Sequence, residues 1–160
     1  GILYHNFSGK SEIYLACVRE SFQKAVSIIR GESGDIPSLV EYMERRHRFF
    51  KDFPHHSHVF FEAWLTAPAE IAEDVEKEKV IFEDLNRQVS EKLLAESTLK
   101  DHISQEQALD YLTFIQQLFR SYYLAPSGSQ GTSSLASQYE NDLQKVLHLM
   151  IYGIFKDGKW

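Results

Sequence analysis

Apolar residues recur at intervals of three and four along nearly the whole chain. That spacing restricts the fold more than any other feature, because it gathers side chains on one stripe of an α-helix and does not fit the two-residue alternation of a strand. From Lys10 to Arg30, Ile13, Cys17, Val26 and Ile29 keep helical spacing, with Phe22 and Ala25 beside them, and Gly31 reads as the stop. Cys17 shares this stripe with Ile13 and Ala16, so a small buried hydrophobe is expected there. The polar residues Glu32 to Asp35 then form a turn.

Four further helices follow, and a fifth closes the chain. Asp35, with Pro37 two places on, reads as the cap and first turn of a helix reaching about Phe53, with Ile36, Leu39, Val40, Met43, Phe50 and Phe53 on its apolar face. His47 falls on that face, either as a core histidine bonded to a neighbour or as a polar contact inside a ligand pocket. Pro54 and Pro68 delimit a short helix, His55 to Ala67, dense in Phe60, Phe61 and Trp64. These rings either fill the core or line an apolar cavity. A longer helix from Pro68 to about Ser97 carries Ile71, Val75, Phe82, Leu85, Val89 and Leu93 on one stripe. Glu78 sits at the edge of that stripe or is a buried acid in need of a partner.

After Thr98 to Ile103, a capping box at Ser104 and Gln107 opens a helix that is apolar on more than one side, with Leu112, Phe114, Ile115, Leu118, Phe119, Tyr122 and Tyr123. Beyond a loop of Gly, Pro and Ser, a last helix from about Ser134 to Phe155 repeats the pattern with Tyr139, Leu143, Val146, Leu147, Met150, Ile151 and Ile154. A second apolar face must be buried, either against another copy of the chain or by making both helices central in a monomer.

The chain's 160 residues are enough for one domain with a sizeable core. No apolar run reaches the length of a membrane span, and no signal-peptide pattern is present. A single cysteine excludes an internal disulfide and a Cys-rich zinc site, and points to a cytoplasmic protein. His47, His55, His56 and His58 cluster, yet no cysteine joins them, and a solvated helix start after Pro54 is the simpler account. Glu44 and His47 form a Glu-x-x-His pair without the second copy that a di-iron bundle requires. There is no Gly-rich phosphate loop, no nucleophile elbow and no His-Glu-x-x-His. The expectation is a protein that is not an enzyme, with no catalytic residue, cofactor or metal.

The net charge of −6 is uneven. Residues 1–30 carry four basic and two acidic side chains, which leaves the remainder at −8. A basic end on an acidic body suits a protein that presents one end to DNA.

That basic end opens with Gly1-Ile-Leu-Tyr-His-Asn-Phe7, then Ser8-Gly9-Lys10 and the helix beginning Ser11-Glu12-Ile13. Gly1, Leu3, Tyr4, Phe7, Lys10 and Ile13 stand at the spacing small-x-Leu-Tyr-x-x-Phe-x-x-Lys-x-x-Leu, with Ile13 in the place of the final Leu. The stretch resembles the recognition helix and the start of the connecting helix in TetR/AcrR-family transcriptional regulators. Leu3 and Phe7, four apart, would share the buried face of one helical turn and leave Tyr4 and His5 outward.

The resemblance implies an all-α, TetR-like fold. Residues 1–9 would be the end of a helix-turn-helix that lacks its first two helices, and residues 10–160 an effector-binding and dimerisation domain. Tyr4, His5 and Lys10 would face double-stranded DNA, the matched Tyr4 and Lys10 contacting phosphates. A small apolar or aromatic effector would lie among Met43, His47, Phe50, Phe60, Trp64, Phe82 and Phe114. The last two helices would pair with their two-fold mates in a homodimer through Ile115, Phe119, Tyr122, Leu143, Leu147, Met150 and Ile151. The implied function is ligand-responsive regulation of transcription, most often repression in this family. The other class is a helical small-molecule-binding module with no DNA role.

Overall fold

The computed structural model describes residues 9–124 and 132–156. Within them the chain forms α1 (Lys10–Arg30), α2 (Leu39–Asp52), α3 (Pro54–Leu65), α4 (Ala72–Ala95, entered through a 3₁₀ turn at Ala69–Ile71), α5 (Gln105–Leu124) and α6 (Thr132–Ile154). The only β pairing among the described residues is an isolated antiparallel bridge between Leu99 and Phe155, which ties the α4–α5 link to the end of α6. The fold is all-α. No helix among the described residues is long and apolar enough to cross a membrane.

α1 packs against α2, α3 and α4 at once. Its buried stripe is Val18, Ser21, Phe22, Ala25, Val26 and Ile29. Cys17 lies one step off that stripe and is exposed, contrary to expectation. Gly31 ends the helix with φ of 74° and donates its N–H to the Ser27 carbonyl. The Arg45 guanidinium caps the same end by donating to the carbonyls of Ile29 and Arg30 at 3.0 and 2.8 Å. It lies 3.0 Å from where a Cβ on Gly31 would stand, so only glycine accommodates both the positive φ and this approach.

The cap of α2 is Ser38 rather than Asp35. Its hydroxyl accepts from the Glu41 N–H while the Glu41 carboxylate accepts from the Ser38 N–H, a complete capping box. The expected box at Ser104 and Gln107 forms in the same way at the start of α5. Glu78 sits at the edge of the α4 stripe, where it accepts from Arg19 of α1 at 2.6 and 3.0 Å.

The centre of the core is aromatic. The Phe60 ring lies 4.6 Å from Phe22, 4.9 Å from Phe82, 5.7 Å from Phe49 and 6.0 Å from Trp64, centroid to centroid. One side chain therefore joins α1, α2, α3 and α4. Phe60→Ala is expected to cost about 3–5 kcal/mol of unfolding free energy, read from the urea midpoint at constant m-value, because the surrounding rings cannot collapse into the space left. A loss below about 1 kcal/mol would show that the rings repack freely.

α5 and α6 lean on this four-helix unit. α5 contacts α3 and α4, and α6 contacts α3 and α5. Phe119 and Tyr123 of α5 face Tyr139 of α6 with centroids 4.8 and 5.0 Å apart, and the Tyr123 hydroxyl donates to Asp142. The expected interface residues Leu143, Leu147, Met150 and Ile151 are all buried inside the chain by this packing, and Ile115 and Phe119 are partly buried. Tyr122, at 72% exposure, is open, and with Phe114, Leu118, Leu149 and Tyr152 it makes an exposed apolar surface on the same two helices. The excess apolar surface read in the sequence is thus divided: one face lines the protein interior, and the other remains outside.

Candidate ligand-binding site

The α2 sequence carries two overlapping helical stripes, and the one that faces inward is Tyr42, Met43, Arg46 and Phe49. It lies about one residue round the helix from the stripe expected, so His47 and Val40 are exposed. Arg46, in contrast, is only 3% exposed. Its Nε and Nη2 donate to the two carboxylate oxygens of Glu140 on α6 at 2.7 and 2.6 Å, a two-pronged ion pair. Nη1 donates to the Tyr42 hydroxyl at 2.9 Å, which in turn donates to Asn86 Oδ1 on α4 at 2.6 Å. The guanidinium also lies over the rings of Phe50 and Phe82.

Burial acts strongly against the charge on Arg46. The Glu140 carboxylate and the Tyr42 oxygen outweigh it and hold the guanidinium well above its ordinary pKa. Burial pushes the Tyr42 and Tyr139 hydroxyls up, against the opposing pull of Arg46.

This ion pair stands between two spaces. On its inner side is a small cavity of about 50 Å³, bounded by Tyr42, Arg46 and Trp64, by Asn86 and Ser90 of α4, and by Leu143, Leu147 and Ile151 of α6. The leucines expected at the dimer interface therefore line an interior space. On its outer side α2, α3 and α6 form a groove of about 400 Å³, walled by His47, Phe50, Lys51, Ser57, His58 and Glu140. The groove has the volume of small-molecule clefts, roughly 300–1,000 Å³. The inner cavity holds no more than a water or two.

The expected effector residues divide accordingly. His47 and Phe50 line the groove, whereas Met43, itself buried, lines a separate hollow that also contains His47. Trp64 lines the inner cavity, where its indole N–H donates to the Tyr139 hydroxyl at 3.4 Å and its own carbonyl accepts from Arg120. Phe60 and Phe82 are core residues at 0% and 1% exposure and touch neither space. Phe114 points away from both and is 58% exposed. Lys10, the first residue of α1, is exposed. Tyr4 and His5 lie outside the described residues.

Sequence reasoning does not assign Arg46, Glu140, Lys51 and His58 to the site. The available signal is an arginine four residues after a tyrosine on a phenylalanine-rich helix. Among the described residues, no group of three or more His, Cys, Asp or Glu side chains could hold a metal ion. His56 instead approaches Glu20 at 3.3 Å and His58 approaches Glu62 at 3.9 Å.

Comparison of the chain with protein-family models, with curated proteins and with solved structures returns no match.

The ion pair has two measurable consequences. Arg46→Met and Glu140→Leu, each made alone, should cost about 3–5 kcal/mol by leaving a buried charge unpaired, whereas the double replacement should recover most of that loss in urea unfolding. Strictly additive losses would contradict the coupling. A raised tyrosine pKa stabilises the fold fully below the unfolded value of about 10, and this stability is lost as pH rises beyond it, because the folded chain retains a proton that the unfolded chain releases. The stability of the native sequence should therefore fall relative to Tyr42→Phe as pH rises above about 10. Parallel stability curves would show that the Tyr42 hydroxyl titrates normally.

Proposed function

We propose that this chain is the effector-binding and dimerisation body of a ligand-responsive transcriptional regulator of the TetR/AcrR type, acting as a repressor that a small apolar or aromatic effector releases from its operator. The observation carrying this reading is that α1, which holds all four basic residues of the first thirty, begins at Lys10, directly after the stretch whose sequence resembles a recognition helix. From Val18 onward the helix that starts at Lys10 is buried against α2, α3 and α4, and two of those helices also wall the ligand groove. A ligand that shifts α2 or α3 would tilt α1.

The mechanism is a two-state one. Two recognition helices in a dimer must sit about 34–36 Å apart to enter successive major grooves on one face of DNA. An effector that binds one tilt of α1 better than the other shifts the balance by its differential affinity, commonly about 1–3 kcal/mol. Dimerisation is assigned to the exposed face of α5 and α6, with Phe114, Leu118, Tyr122, Leu149 and Tyr152. A charge at Leu147 would be buried in the protomer and so would test folding; Leu118→Glu tests the interface. Sedimentation should give dimers for the native chain and folded monomers for Leu118→Glu. A Leu118→Glu dimer of unchanged strength would remove this face from the interface.

Fluorescence anisotropy on DNA from the gene's own promoter tests the regulator itself, with any residues encoded before Gly1 included. Saturable binding that weakens with salt and exceeds a scrambled duplex is expected. Equal binding to both duplexes, for promoter and genomic fragments alike, would favour the small-molecule-binding module without a DNA role.

A further inference from the structure

We infer that the groove between α2, α3 and α6 is a site for an aromatic carboxylate, its ring over Phe50 and its carboxylate on Lys51 and the neighbouring imidazoles. This names the effector class of the regulator proposed above and rests on that reading for its biological role, although the binding chemistry stands on the groove alone.

Shape and charge both point to this class. Phe50 is partly exposed at the groove and meets the fully buried Phe61 edge-on at 84°. This leaves the Phe50 ring as an accessible surface for a planar guest, held rigid from beneath. Lys51, in the last turn of α2, and His47, one turn before it, are exposed on the wall, with His58 of α3 opposite. Among the described residues neither Lys51 nor His47 has an ion-pair or hydrogen-bond partner, so both retain their donors for a guest. The acid within the groove, Glu140, is already neutralised by both prongs of Arg46. Glu62 lies 3.9 Å from His58. An anion entering here meets an uncompensated lysine without facing an uncompensated carboxylate, while a cation would find Lys51 against it. The guest's flat apolar part then covers an aromatic floor that water now reaches.

Isothermal titration calorimetry with 2-naphthoate and its uncharged counterpart 2-naphthamide, on the whole chain without DNA, tests the assignment. Naphthoate should bind about tenfold more tightly than the amide, the order expected of one charge-assisted hydrogen bond. Lys51→Met, an exposed position whose folding is checked by circular dichroism, should abolish that preference and leave amide binding unchanged. Trp64→Phe, which alters the inner cavity but not the groove, should leave both affinities as they were. Equal affinity for the two probes, no heat with either, or a preference that survives Lys51→Met would overturn the proposal. Because no DNA is present, a failed operator experiment leaves this result standing. Naphthoate binding that leaves operator affinity unchanged would count against the regulator alone.

Discussion

The two-pronged pair of Arg46 and Glu140 is the constraint around which the second half of the chain is placed. A guanidinium at 3% exposure is tolerable only if its donors are met and its charge is compensated, and α6 supplies the carboxylate that does both. Once that pair forms, the rotation of α6 about its own axis is fixed. Leu143, Leu147 and Ile151 must turn inward, Tyr139 must meet Trp64, and Leu149 and Tyr152 are left outside. The same guanidinium reaches α4 through Tyr42 and Asn86, so three helices are registered by one side chain. Hydrophobic burial supplies most of the free energy of the fold. Directionality at this junction comes from the polar network, since apolar contacts alone would allow α6 to rotate at little cost.

Much of the architecture is legible in the order of residues. Helix periodicity locates all six α-helices, the glycine at position 31 ends the first, and the Ser104 box opens the fifth, because each signal acts within one turn of chain. Facing is harder. On α2, Leu39, Met43, His47 and Phe50 form one helical stripe and Tyr42, Arg46, Phe49 and Phe53 another about one residue round. Either stripe could face inward on apolar content, yet the residues buried are Tyr42, Met43, Arg46 and Phe49, because a partner ninety-four residues away compensates the arginine. No local rule reveals that partner. The doubly apolar α5 and α6 pose a related ambiguity. Spacing shows that two faces exist, whereas which of them turns inward depends on what α3 and α4 present, so the inner face reads from sequence as an intermolecular one.

The ion pair also gives the two halves of the candidate site different characters. The inner cavity is bounded by tightly packed side chains and is too small for an organic guest without displacement of Trp64 or its neighbours. The outer groove is already open, and its cationic wall lies on α2, which packs directly on α1. Ring density alone directs attention to Phe60 and Phe82, which are core; donors left without a partner direct it to Lys51 and His47.

Hydrogen exchange by mass spectrometry on Glu140→Gln measures the role of the pair most directly. If Arg46 and Glu140 fix α6 on the four-helix unit, amides in α6 and the adjoining turns of α2 should lose protection, while those of α1 and α4 around Phe22 and Phe82 keep theirs. Equal loss of protection in every helix would make the pair one contributor among many to global stability. Unchanged protection in α6 would mean that aromatic packing at Tyr139 holds the helix without the ion pair, and would contradict the placement of α6 by Arg46 and Glu140.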